Sequence, residues 1–414
     1  MNLWSLVLPG FASPFEWLSW PATGAGRLVF VALFCALVDF VKLIVELLGR
    51  AEPRTFESEP SLVTAVIASR NGAAVLPGTV GELLRAGAVA HVLVVDDGST
   101  DGTSEVARGL GCEVHRFERS KGKASAIHYA LHRVGTPLVL LLDDDTRLGA
   151  ARLPTSLITD GLADAVAFHV LPDRRNRGGA HGNNFLGALQ RYEYAKSMEI
   201  GKRFHDVTQS VSCVSGAIGL FRTADLDALH HQHTCVFQGE DLQRTMIQLL
   251  NGRRIAFADE PVWTVAPSRW GDWLRQRLAG WYPGLYHQFG NMLRLLTWRG
   301  SSSRLRYEMA YNLYTVVSDP LKSWSILVIL LTPTLRIWGL VLYALYLAFE
   351  TFPWRAIRMP REGTRAPLAV LLAYPLYGAI NAVLRTLAVA WWAYFRFVSG
   401  SMRPRRGPRD RVPA

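Results

Sequence analysis

The chain has 414 residues, is 50% hydrophobic and carries a formal net charge of +11. That length holds one sizeable soluble domain plus several membrane spans. The basic residues gather beside apolar stretches (Arg50 and Arg54; Arg355, Arg358, Arg361 and Arg365; Arg403, Arg405, Arg406, Arg409 and Arg411), which excludes a nucleic-acid-binding face and reads as the flanks of membrane helices.

Residues 1–27 lack a basic n-region, the first arginine being Arg27. They read as an interfacial segment rather than a cleaved signal peptide. Residues 28–48 are apolar over a length that crosses a bilayer once. Asp39, Lys42 and Glu46 fall inside this run at helical spacing and could neutralise one another along one face. The expectation is that the helix ends near Val38 and leaves these charges in the interface. Four cysteines, Cys35, Cys112, Cys213 and Cys235, form no CxxC pair and fit no zinc module, as isolated thiols of a reducing compartment would.

From Pro60 to Pro267 the pattern changes. The runs LVTAVIAS, HVLVVDD, PLVLLLDDD and AVAFHVL alternate with helix-like stretches at 72–87, 103–110 and 122–134. Buried strands separated by helices predict βαβ units, hence an α/β, Rossmann-like domain at 60–267 with a mostly parallel sheet. Ligands of such sheets bind at the carboxyl ends of the strands. Residues 268–308 are aromatic and basic and predict amphipathic helices lying on the membrane. Apolar runs fill 309–332, 333–350 and 367–398, the last interrupted by Arg385. With the domain, the basic loop near 355–365 and the basic tail 399–414 all cytosolic, parity favours four C-terminal spans.

The strand-end residues carry the chemistry. HVLVVDD runs into Asp96-Asp97-Gly98-Ser99-Thr100-Asp101-Gly102. A carboxylate there can accept a hydrogen bond from a nucleobase, although the same residues also make a good turn and helix cap. PLVLLL ends in Asp143, Asp144 and Asp145. Three adjacent carboxylates repel one another unless a cation sits among them, and oxygen ligands suit Mg²⁺ or Mn²⁺. Alternation puts Asp143 and Asp145 on one side of an extended chain. Between the two strands, Lys121-Gly122-Lys123 opens a helix-like run, a position that suits a phosphate. Glu240 and Asp241 open an amphipathic stretch through Leu250, either as first-turn acids or as a general base for an acceptor hydroxyl. Together these sites supply a sugar transfer in which a nucleoside diphosphate leaves and direct attack inverts the anomeric centre.

The ordered segments Ala68-Ser69-Arg70-Asn71, VVDDGSTDGT, KGKASAIHYAL, LLLDDDT, SGAIGLFR (215–222) and GEDLQRTMIQL resemble the family 2 glycosyltransferases of GT-A fold over residues 60–290. The similarity is closest to their membrane-integrated hyaluronan, chitin-oligosaccharide, poly-N-acetylglucosamine and cellulose synthases. The resemblance implies a UDP-sugar donor contacted by Ser69, Asn71, Asp96 or Asp97, Lys123, Asp143 and Asp145. It makes Asp143 and Asp145 the metal ligands and Asp241, with Glu240, the catalytic carboxylate. Gln276, Arg277 and Trp281 would face the acceptor and diphosphate.

One motif departs from the family. Processive members carry QxxRW, whereas here Gly280 precedes Trp281 and Gln276 is one residue too far from it. Arg277 is a candidate to supply the lost charge. The expected activity is elongation of a β-linked polysaccharide from a UDP-hexose or UDP-N-acetylhexosamine, with export through the protein's own channel, in a multi-pass plasma-membrane protein whose catalytic domain is cytosolic. The alternatives are transfer of one sugar to a membrane lipid and a non-catalytic subunit of an envelope assembly. His230, His231 and His233 read as a polar loop without a matching carboxylate, and His181 with the RRNRGG run at 174–179 as a polar loop beside the acceptor.

Overall fold

The computed structural model describes residues 24–50, 52–173, 184–234, 239–358, 363 and 365–398. Most of the N-terminal segment, Cys235, Arg361, the 174–181 loop and the basic tail therefore lie outside the described residues.

Seven strands form one sheet: β1 (Val63–Ser69), β2 (His91–Asp96), β3 (Glu113–Arg116), β4 (Leu138–Leu142), β5 (Ala165–Pro172), β6 (Ile218–Arg222) and β7 (Ile255–Thr264), in the spatial order β3-β2-β1-β4-β6-β5-β7. β1 and β4 are almost wholly buried, as their unbroken apolar sequences require of strands covered on both faces. From β1 the chain steps outward to β2 and β3 and then returns to β4 on the other side of β1. The strand order reverses there, and the crevice at such a reversal is where open α/β sheets bind ligands.

The expected strands at 62–69, 91–97, 137–145 and 165–171 are present, and so are the intervening helices: α2 (Leu76–Arg85), α3 (Thr103–Gly109) and α4 (Lys123–Leu131). β6 is antiparallel to both β4 and β5. Its direction matters, because an antiparallel neighbour brings its beginning to the edge where β4 ends. Leu142 thus pairs with Ile218, and the turn before β6 sits beside Asp143, whose backbone N–H donates to the Ala217 carbonyl at 3.0 Å. β7 runs parallel to β5 and delivers Thr264 to the same edge.

Among the described residues, four helices are long and apolar enough to cross a membrane: α1 (Gly24–Gly49), α11 (Ser303–Leu331), α12 (Arg336–Ala356) and α13 (Leu368–Ala393). Large apolar side chains project outward from them, Leu331 at 72% and Phe30 at 59% exposure, as lipid-facing surfaces do. Two expectations are corrected here. α1 does not end near Val38 but continues to Gly49. Lys42 pairs with Glu46 one turn on, as their spacing predicted, and the charges also have partners distant in sequence: Asp39 accepts from Lys322 at 2.6 Å, and Lys42 lies 3.3 Å from Glu308. His205 sits 3.2 Å from Glu46 and 3.1 Å from Glu308, so four ionisable groups close a buried cluster where α1, α11 and the domain meet.

The second correction concerns span number. Among the described residues, three long apolar helices follow the domain, not four, because 368–393 is one helix. Arg385 does not break it, being ion-paired with Asp319 of α11. Three crossings would put the domain and the end of the described chain on opposite faces, unlike the parity behind the four-span expectation.

Removing one partner of a buried pair strands the other, which costs about 3–5 kcal/mol, whereas replacing both with apolar residues is often neutral. Asp319→Leu alone should therefore lower the unfolding midpoint in detergent, and Asp319→Leu with Arg385→Met should recover most of the loss. Equal destabilisation by the single and double variants would contradict a stabilising role for this pair.

Candidate active site

The site is assembled from strand ends outward. After β2, Asp96 is 1% exposed and accepts the Ser99 N–H at 2.8 Å and the Ser104 hydroxyl. Burial opposes its charge, yet the bonds from Ser104 and Ser99 hold its carboxyl below the usual range. Asp97 accepts the Lys121 N–H at 2.6 Å, the Gly122 N–H at 3.0 Å and the Ser120 hydroxyl at 2.6 Å. Both carboxylates of the pair are thus held by protein donors. Asp97 in particular ties down the loop that leads into α4. Gly98 adopts φ +74°, and a Cβ there would meet the Ser120 backbone at 2.7 Å, so this close approach needs glycine.

Asn71, after β1, also lies in the left-handed region at φ 56°. Its side-chain oxygen accepts the Thr100 N–H at 2.9 Å, and its own N–H donates to Ser99 Oγ at 2.9 Å. Ser69, buried beneath it, donates to Asp144. Ser69 and Asn71 therefore join the β1, β2 and β4 ends.

Lys123 opens α4 and enters the centre of the acidic sites. Its ammonium donates to Asp143 and to the Gly216 carbonyl at 3.2 Å, and lies 3.3 Å from Glu240 Oε1. Burial disfavours the charged amine, but Asp143 and Glu240 outweigh it and raise its pKa above the ordinary value. Glu240 and Asp241 open α7 (Glu240–Leu250). Burial opposes the Glu240 charge, but Lys123 and Arg244 hold its carboxyl down at about 2. Asp241 accepts the Gly216 N–H at 2.8 Å and the Leu242 N–H at 2.8 Å. Burial and the neighbouring Glu240 charge push its carboxyl up, toward the range of a working base.

Asp145 is the least satisfied member of the acidic turn. It accepts from Thr264 Oγ1 at a long 3.3 Å, and burial together with Asp143 and Asp144 pushes its carboxyl up to about 7. Crowded carboxylates with uncompensated charge and oxygen-only donors fit a hard divalent cation.

The QxxRW-like stretch is built differently. α8 (Trp270–Gln276) passes into a π-helical segment, Arg277–Trp281, before α9 (Tyr282–His287). A π-turn closes its hydrogen bonds from i to i+5 rather than from i to i+4, and so accommodates one extra residue. The extra residue between Gln276 and Trp281 falls in this segment. Gln276 Oε1 is buried without a hydrogen-bond partner. Arg277 is 3% exposed, donates to Glu193 at 2.7 Å, and stacks 4.2 Å over the Trp281 ring. Its charge is thus neutralised by Glu193. Gly280 is buried, and Gly284 approaches Gly239 so closely that a Cβ on the latter would meet its Cα at 3.1 Å. This contact joins the start of α7 to α9.

Tyr194, on α5 (Phe185–Lys196), has its ring 6.1 Å from that of Trp281. Burial raises its phenol pKa most; Arg277 acts against this, while Glu193, Asp241 and Asp145 add to it, which puts the phenol within electrostatic reach of both the acidic site and the Arg277 shelf. Nothing in the local sequence marks Tyr194, Glu193 or Thr264, since their roles follow from long-range packing. Gly216 lies within the SGAIGLFR segment but carries no side chain to draw notice.

The histidines lie elsewhere. His230 ends α6 (Thr223–His230), and its ring stacks on His128 at 4.3 Å, with His233 at 5.8 Å. Burial pushes His230 down to about 3 and His233 to about 4. Asp227, one turn back along α6, faces His128 and His132 and not His230 or His233.

A switch-point crevice lined by acids at three strand or helix ends fits the GT-A fold. The chain belongs to glycosyltransferase family 2: the profile of the Glycosyltransferase like family 2 matches residues 60–283, more than half its length. It is 36% identical over 131 residues to the succinoglycan biosynthesis protein ExoU of Rhizobium meliloti (strain 1021), a match spanning 30% of this chain and 37% of that protein. Its fold is similar to that of the mannosyltransferase PcManGT from Pyrobaculum calidifontis, solved in complex with GDP-Man and Mn²⁺, with a TM-score of 0.53 and 16% identity over 89% of this chain and 98% of that one. Mannosyl-3-phosphoglycerate synthase from Rubrobacter xylanophilus matches with a TM-score of 0.36 and 20% identity, over 57% of this chain and 74% of that one. The protein is a glycosyltransferase.

The Asp145 carboxyl rises on folding from the ordinary 3.8 to about 7, so the folded state binds this proton more tightly than the unfolded chain. Stability from this group is present below the ordinary value and is lost as pH rises through about 7. Metal-free wild type should lose more thermal stability between about pH 5 and pH 8 than Asp145→Asn does. Parallel pH profiles for the two would contradict the strain assigned to this carboxylate.

Proposed function

We propose that this glycosyltransferase moves a hexose or N-acetylhexosamine from a nucleotide-sugar, UDP-linked by family resemblance, to an acceptor of polysaccharide biosynthesis held at the membrane, inverting the anomeric centre. The observation that carries the reading is the convergence of Asp143, Lys123, Glu240 and Asp241 at one crevice. The relative named for succinoglycan biosynthesis supports the polysaccharide context.

In this reading Asp143 and Asp145 would hold Mg²⁺ or Mn²⁺, as the oxygen donors there suit. The ion's chemistry is to neutralise charge on the departing nucleoside diphosphate. Lys123 adds a positive charge to that diphosphate, and it does so without moving far from Asp143. Asp241, with a raised pKa and fixed by two backbone N–H groups, takes the acceptor hydroxyl proton as the oxygen attacks the anomeric carbon and the bond to the diphosphate breaks. Glu240 stays ionised and keeps Lys123 in place. Ser69 and Asn71 shape the donor end of the crevice, and Asp96 and Asp97 hold the turn and the lysine loop beside the base. Trp281 offers a stacking face for a sugar, and Gln276 an unpaired acceptor for one of its hydroxyls.

The multi-pass arrangement, with the domain cytosolic at the plasma membrane, belongs to the same proposal and is supported by the four apolar helices. Within it, two acceptors compete: a growing β-linked polysaccharide exported through the protein itself, or a lipid that receives one sugar. The engagement of Arg277 by Glu193, together with Gly280, favours the lipid reading, because the free arginine next to the tryptophan in processive relatives has no counterpart here.

Purified protein supplied with a panel of nucleotide-sugars, Mn²⁺ and membrane lipid should yield one glycosylated product by mass analysis. A ladder of sugar additions would favour the polymer reading, and no transfer from any donor would contradict both. Asp241→Asn should lower turnover by about 10²–10⁴-fold while donor binding persists, and retained turnover would remove the base assignment.

A further inference from the structure

A second constellation lies further along α4 than Lys123. His128 and His132 stand one helical turn apart and share a face of α4. α6 packs against α4 and brings Asp227 to the same place. The ligating atoms of His128, His132 and Asp227 all lie within 4.8 Å of one another. His132 Nδ1 is 3.5 Å from Asp227 Oδ1, and the two histidine rings are 4.7 Å apart at 68°. His128 Nδ1 and Asp227 Oδ1 are both buried atoms without a hydrogen bond. Neither is explained by the transfer reaction.

We propose that His128, His132 and Asp227 form a second metal site that takes a zinc-class ion. Two imidazoles and a carboxylate are a borderline donor set, suited to Zn²⁺ and unlike the all-oxygen set at Asp143–Asp145. Two ligands of a tetrahedral zinc at ~2.0–2.1 Å stand about 3.3 Å apart. The 4.8 Å spread must tighten to hold an ion, and His132 and Asp227 are exposed enough to turn, at 54% and 38%. His230 holds the His128 ring by stacking at 4.3 Å and 7°. Parallel stacking keeps its nitrogens from converging on the ion, so it positions a ligand without being one. The fourth coordination position is left to water. An ion here ties α4 to α6 and braces the helix whose first residue is Lys123.

Tag-free protein in detergent, titrated with Zn²⁺ alone by calorimetry and with Co²⁺ as a spectroscopic probe, tests the site. Wild type and Asp145→Asn should both bind Zn²⁺ and show the absorption of a tetrahedral, nitrogen-ligated Co²⁺. His132→Ala with Asp227→Ala should weaken binding by at least about tenfold, or 1.4 kcal/mol, and lose the Co²⁺ bands while folding normally by thermal melt. Undiminished binding in that double variant, binding abolished by Asp145→Asn alone, or no binding by wild type would each overturn the proposal.

Discussion

The ammonium of Lys123 is the charge on which the rest of the site depends. It contacts Asp143 after β4, Glu240 at the start of α7 and the Gly216 carbonyl before β6. These groups come from three separate parts of the chain. Without a cation among them, the carboxylates would repel one another in a partly dry crevice, where charges are screened far less than in water. Asp97 makes the arrangement possible from a distance, because its bonds to the Lys121 and Gly122 N–H groups fix the loop that ends at the lysine. The acids then divide the work: Lys123 and Arg244 keep Glu240 ionised, and that same negative charge, with burial, pushes Asp241 up. Neighbouring carboxylates with separated pKa values are the arrangement expected of a base beside a charge holder.

The site is also coupled to the apolar helices. Gly239, at the mouth of α7, touches Gly284 of α9. α9 in turn is fastened to α13, with Tyr282 donating to Asn381 and Tyr286 to the Arg385 carbonyl at 2.9 Å. α8 joins the same face through Trp273, whose indole N–H donates to Tyr377 at 3.2 Å. On the other side, the Lys42–Glu46–His205–Glu308 cluster locks α1 and α11 to the domain. An acceptor held between Trp281 and Asp241 would therefore lie close to the base of the membrane helices, consistent with a lipid-borne acceptor.

Much of this was legible in the sequence, for a physical reason. Buried strands are short apolar runs, and a carboxylate at their ends is conspicuous because it costs so much to leave unexplained. Asp96, Asp97, Asp143 and Asp145 were found in that way, and the structure brings the last two to the crevice with Lys123, Glu240 and Asp241. What the sequence concealed depends on distant partners. β6 was not read as a strand, and only its antiparallel course beside β4 and β5 brings Gly216 to the site. Arg385 looked like a break between two spans because Asp319 lies 66 residues earlier. Asp39, Lys42 and Glu46 looked like an interfacial end for the same reason. The irregular spacing from Gln276 to Trp281 was visible, but its resolution in a π-turn was not. His128 and His132 drew no notice because Asp227, which meets them from α6, lies far along the chain.

Calorimetric titration of UDP with Mn²⁺ against wild type and Lys123→Met probes the central charge directly. If Lys123 both balances the acids and faces the diphosphate, the variant should bind at least about tenfold more weakly while its thermal melt shows it still folded. Undiminished affinity in a folded Lys123→Met protein would contradict the placing of this lysine at the centre of the donor site.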